Sequence, residues 1–100
     1  MSELHVVATI PAQAEHVEDV RAALTTLVEA TRQEEGCLSY DLFESAAAPG
    51  VFVTVERWTS QEALDAHMRT PHVAAAFQAA EGALAGEVAI HPLVPVTAAG

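Results

Sequence analysis

Leu4 to Ile10 is rich in β-branched and apolar residues and stops at Pro11, which predicts a first strand. The period then changes. From about Gln13 to Glu34 the apolar positions Val17, Val20, Leu24, Leu27, Val28 and Thr31 recur mostly in steps of three and four. That spacing predicts an amphipathic helix of about six turns. Glu15, Glu18 and Asp19 suit its positive N-terminal end, and Gly36 is placed to end it in a left-handed cap. Cys37 to Ser45 and Val51 to Trp58 return to strand composition, and the link from Ala46 to Gly50, with Pro49 in it, predicts a hairpin turn.

Thr59 and Glu62 have the spacing of a capping box that opens a second helix. Thr70 followed by Pro71 reads as an N-cap with proline at the first helical position. It ends the second helix near Arg69 and starts a third that runs toward Leu84. Gly82 and Gly86 frame its exit, and Glu87 to Val94 forms the last strand. No repeat, linker or low-complexity tract interrupts the order, and only Met1-Ser2 and Thr97 to Gly100 stand outside the pattern. The fold class expected is α+β: a ferredoxin-like βαββαβ unit with an antiparallel four-stranded sheet, one domain over residues 1–100 with its core at about 4–94.

The strand faces predict more. Val51, Val53, Val55 and Arg57 alternate with Phe52, Thr54, Glu56 and Trp58, and Val88, Ile90, Pro92 and Val94 alternate with Ala89, His91 and Leu93. Neither face of either strand is cleanly polar, unlike a sheet with one solvated side. The helices of this topology cover one face only. The cheapest cover for the other is a second copy about a two-fold axis, so a homodimer is expected.

Charge removes several function classes. Acids exceed bases by 14 − 4 = 10, lysine is absent, and the bases are Arg21, Arg32, Arg57 and Arg69. No basic patch exists to meet nucleic acid or an anionic membrane surface. Without lysine there is neither Schiff-base chemistry nor a P-loop. The lone Cys37 forms no internal disulfide and reads as a small buried hydrophobe rather than a reactive thiol. The N-terminus shows no leader pattern and no apolar run reaches 18 residues, so the expected location is the cytoplasm.

Candidate chemistry gathers mostly on the second half of the chain. His67 follows Leu64 by three and Ala63 by four, so it belongs to an apolar helix stripe and points inward, as a satisfied core histidine or as an acid–base group. His72 lies in the first turn of the third helix, where capping, solvent contact or a site role all remain open. Glu56 points to the helix side and must be paired, with an arginine or histidine, or be functional. Trp58, two residues on, is either a core plug or a pocket wall, and Tyr40 could donate a phenolic hydrogen bond into the same space. Arg57 faces the other way, toward a dimer partner. His5 and His91 are assigned to outer strands. His67 and His72 are five apart across a helix break, unlike the histidines of H-E-x-x-H, and no carboxylate stands at ligand spacing beside them. No metal site is expected. No dinucleotide fingerprint, nucleophile elbow or paired-cysteine site appears either.

Three segments, Glu34-Glu-Gly-Cys-Leu-Ser-Tyr40, Val53-Thr-Val-Glu-Arg-Trp58 and above all His67-Met-Arg-Thr-Pro-His72, resemble the antibiotic biosynthesis monooxygenase family, in its bacterial quinol-monooxygenase branch. The likeness covers about residues 4–94. It implies a dimeric α+β barrel of two sheets back to back, with a pocket in each subunit between sheet and helices. It also implies oxidation of a quinol- or phenol-like aromatic by dioxygen with no cofactor. His67 is then the base or orienting group, with Trp58 and Phe77 as walls. One related group degrades haem with an asparagine, a tryptophan and a histidine; Val7 or Ala8, His67 and Phe77 stand at those places, so haem breakdown is not expected. Two alternatives stay open: an isomerase or other proton-transfer enzyme acting on a small signalling metabolite, and a non-catalytic binding module.

Overall fold

The computed structural model describes residues 3–98, so the unpatterned Met1, Ser2, Ala99 and Gly100 lie outside it. Strand β1 is Leu4–Pro11, β2 Cys37–Glu44, β3 Val51–Trp58 and β4 Ala89–Leu93. Helix α1 is Val17–Thr31, α2 Gln61–Met68 and α3 Pro71–Ala80. All neighbouring strands are antiparallel, in the order β2-β3-β1-β4. This is the ferredoxin-like α+β arrangement expected from the element order. It makes β1 a central strand, so His5 lies inside the sheet rather than on an outer strand; His91 does sit on the β4 edge.

The long helix is shorter than its periodicity suggests. Ala14–His16 form a 3-10 turn, and α1 begins only at Val17 because no side chain at Gln13 or His16 caps the N-terminus. At the other end, Gln33 and Glu34 donate their N–H groups three residues back, to Ala30 and Thr31, so the helix tightens and stops before Glu34. Gly36 is not in the left-handed region, which among the described residues only Gly50 and Gly82 occupy. Its role is close packing. A Cβ there would overlap Ala63 Cβ of α2 and crowd Thr59 Oγ1 at 3.2 Å. The left-handed position of the β2–β3 hairpin is Gly50, at φ 91°.

The cap of α2 is Ser60 rather than Thr59: its hydroxyl accepts from the Ala63 N–H at 3.1 Å. The Thr70-Pro71 junction is as the sequence predicts. Thr70 Oγ1 accepts from Val73 N–H and donates to the His67 carbonyl at 2.7 Å, so one hydroxyl closes α2 and opens α3. Helix α3 ends at Ala80, with Gly82 at φ 79° soon after it, not at Leu84. Strand β4 keeps only Ala89–Leu93, the stretch that pairs with β1 over Thr9 to His5.

The helices cover one sheet face. Val6, Ala8, Ile10, Tyr40, Phe52, Thr54, Glu56 and Trp58 are buried beneath them. The other face carries Val7, Phe43, Val53 and Val55, with Phe43 55% and Val55 43% exposed. Arg57 on that face holds Glu3 of its own chain through two 2.9 Å bonds.

Candidate functional site

Between the covered face and helices α1, α2 and α3 lies a cavity of about 60 Å³. Ala8, Ile10, Thr54 and Glu56 line the sheet side, Leu24 and Leu27 the α1 side, and Leu64, His67 and Val73 the α2–α3 side. Met68, Phe77 and Ile90 also line it and are solvent-exposed, which puts the mouth between the α2–α3 junction and the β4 edge. The lining is apolar except for one wall, formed by Tyr40, Thr54, Glu56 and His67.

That wall is built by alternation along β3. Thr54, Glu56 and Trp58 occupy every second position, so all three face inward. Glu56 Oε2 accepts from the Thr54 hydroxyl at 2.6 Å, and Oε1 accepts from the Trp58 indole N–H at 2.9 Å. The buried carboxylate is thus held by two uncharged donors, not by the arginine or histidine its position suggested. Trp58 is fully buried behind the wall rather than in it: its ring lies 4.7 Å from the His67 ring and edge-on to Tyr40 at 6.3 Å. It lines none of the cavity. Burial, and then the Glu56 charge, push the Tyr40 phenol up from the ordinary tyrosine range, while its hydrogen bond with Thr54 works the other way. Burial likewise raises the Cys37 thiol, with the Glu34 and Glu56 charges adding to it, which keeps that group a protonated, half-buried thiol.

His67 is 3% exposed and is oriented from behind. Its Nδ1 stands 2.6 Å from Glu34 Oε2, and His72 Nε2 stands 2.6 Å from the same oxygen. An ionised carboxylate can only accept, so both ring nitrogens act as N–H donors. In the neutral ring this leaves His67 Nε2 with its lone pair, the arrangement of a general base fixed in one tautomer by a carboxylate. His72 does not line the cavity; it completes the group behind it.

The structure therefore brings Tyr40, Glu56, His67 and Phe77 to the cavity and sets Trp58 and His72 one layer back. Glu34 is the member of this group that sequence reasoning left out, although it opens the quoted Glu34-to-Tyr40 segment. The view that His67 and His72 diverge, with no carboxylate near them, is also corrected. The break at Thr70-Pro71 turns α3 back so that both rings meet the α1–β2 loop, and Glu34 reaches them from 33 and 38 residues away in sequence.

Comparison with known proteins agrees with this architecture. The model of the antibiotic biosynthesis monooxygenase family matches residues 4–79. Rv0793 of Mycobacterium tuberculosis, provisionally named a monooxygenase, is 50% identical over 58 residues, a match that spans 54% of this chain and 56% of that protein. Its solved structure superposes with a TM-score of 0.87 over 99% of this chain and 100% of its own, at 35% identity. YgiN of Escherichia coli, provisionally named a quinol monooxygenase, is 33% identical over 75 residues, covering 67% of this chain and 72% of YgiN. The crystal structure of PA3566 from Pseudomonas aeruginosa gives a TM-score of 0.87 at 32% identity, with 97% of each chain covered.

Proposed function

This chain belongs to the antibiotic biosynthesis monooxygenase family, and from that premise we propose that it oxidises a quinol- or phenol-like aromatic with dioxygen, without a cofactor, as a homodimer. The observation that carries this reading is His67: a buried imidazole, backed by the Glu34 carboxylate, forming the polar wall of an otherwise apolar cavity. The quinol name of the Escherichia coli relative points to the same substrate class.

In this reading His67 Nε2 removes the hydroxyl proton of the bound quinol, and the positive ring is stabilised by Glu34. The resulting anion is electron-rich enough to reduce dioxygen, and dry apolar walls keep water from competing. The balance closes without an external reductant. A quinol and one dioxygen give one hydroxyquinone and one water, one oxygen atom entering the ring and the other leaving reduced, all electrons coming from the substrate. The Tyr40 phenol, kept protonated by burial, is a hydrogen-bond donor for a substrate oxygen. A cavity of about 60 Å³ is well below the roughly 300 Å³ at which ligand pockets begin. A bicyclic quinol therefore enters by displacing Met68 and Phe77 at the mouth.

The homodimer rests on the uncovered sheet face, where Val7, Phe43, Val53 and Val55 present an apolar surface that a second sheet would bury. Oxygen uptake with a panel of reduced naphthoquinones and phenols, with products identified by mass spectrometry, tests the reaction. Uptake with an oxygenated product is expected. No substrate-dependent uptake across the panel would refute it, and equal turnover under argon would assign the cavity to isomerisation instead.

A further inference from the structure

The group behind the cavity has a composition that hydrogen bonding alone does not require. Glu34, His67 and His72 each present one ligand atom, and these atoms lie within 4.8 Å of one another. Two imidazoles and a carboxylate are a donor set used for zinc and for other borderline divalent ions. We propose that Glu34 Oε2, His67 Nδ1 and His72 Nε2 form a binding site for a transition-metal dication of the Zn²⁺ type, separate from the substrate cavity and sharing only the His67 ring with it.

The geometry is close to what such an ion needs. A tetrahedral centre with bonds of about 2.0 Å sets its donors roughly 3.3 Å apart. Both nitrogens now sit 2.6 Å from one carboxylate oxygen, and the three donor atoms lie within 4.8 Å of one another, so seating the ion takes a withdrawal of the Glu34 side chain together with a swing of the His72 ring toward His67 Nδ1. That movement is available because Glu34 and His72 are only partly buried, whereas His67 is fixed beneath α2. Their partial exposure gives an ion a path in from solvent. The two histidines are held relative to each other by the Thr70 hydroxyl, which bonds the His67 carbonyl and caps the helix that carries His72. A net charge of −10 favours the approach of a cation.

Occupancy has a consequence that rests on the monooxygenase reading above. The ion takes Nδ1 of His67 and the oxygen of Glu34 that now orients it, so the base loses its carboxylate support and the ring is tied to a dication. The metal therefore acts as an inhibitor of proton abstraction, not as the oxidation catalyst.

The test uses the full chain freed of metal by a chelator and then dialysed. Calorimetric titration with ZnCl₂ alone is expected to show one saturable site per chain. His72→Ala is expected to weaken it by roughly tenfold or more, whereas His5→Ala and His91→Ala, on remote strands, leave it unchanged. Thermal melts of each variant show that it is folded before titration. If His72→Ala does not fold, Co²⁺ bound to the unaltered chain is expected to give the intense visible bands of a tetrahedral site. Absence of saturable binding, a Zn²⁺ affinity insensitive to His72→Ala, or only the weak bands of octahedral Co²⁺ overturns the site. Substrate turnover is measured separately: Zn²⁺ binding without inhibition would refute the consequence for His67 while leaving the site standing.

Discussion

Trp58 separates two views of the site, because a tryptophan that supports the site and one that touches substrate respond differently to truncation. Its ring is fully buried, packs on His67 and Tyr40, and its N–H satisfies one oxygen of the buried Glu56. Removing a packed tryptophan ring costs about 3–5 kcal/mol, and leaving a buried acceptor without its donor adds about 1–3 kcal/mol. Trp58→Ala should thus remove much of the roughly 5–15 kcal/mol that holds a domain of this size. Trp58→Phe keeps most of the packing and loses the indole donor, so its cost should fall near the smaller figure, about 1–3 kcal/mol. Urea denaturation, at a fixed protomer concentration because self-association would shift the midpoint, measures both. A Trp58→Ala loss under about 1 kcal/mol would show that the ring is not packed as described, and would return it to the cavity lining.

Three further outcomes follow from the same geometry. Tyr40 is the only tyrosine, so its ionisation is visible alone in the ultraviolet. Its phenol is raised in the folded chain, so the associated stability is whole below the ordinary value of 10.0 and drains as pH climbs above it; phenolate absorbance should appear only with alkaline unfolding, and a normal titration of the folded protein near pH 10 would contradict its burial. Gly36→Ala should cost about 1–3 kcal/mol through overlap with Ala63; a thermal melt unchanged by it would refute the close approach of α2 to this loop. Val55→Asp, on the uncovered sheet face, should turn a dimer into a monomer in sedimentation velocity, and a wild-type chain that already sediments as a monomer would remove the dimer.

The parts of the fold that could be read from the sequence are those encoded locally. The β3 alternation, the hairpin ending at Gly50 and the Thr70-Pro71 junction each lie within a few residues, and each appears where its pattern stands. Errors arise where a local pattern has two physical meanings. The α1 periodicity extends toward Glu34 although the chain leaves the helix after Thr31, and Gly36 serves close packing rather than a left-handed turn. For Trp58, alternation correctly gives the face but says nothing about depth, so it could not show that His67 stands between the indole and the cavity. Glu34 lies furthest from any local pattern. Ligand and dyad motifs are sought at short spacing, whereas this carboxylate reaches His67 and His72 only because the α1–β2 loop passes the α2–α3 junction.

The most direct test of the account is oxygen consumption with a reduced naphthoquinone by the unaltered chain and by His67→Ala, both shown to be folded by circular dichroism. The predicted result is one dioxygen consumed per quinol by the unaltered chain and a rate lower by roughly 10²-fold or more in the variant. Turnover by His67→Ala at the unaltered rate would contradict the assignment of the buried imidazole as the base.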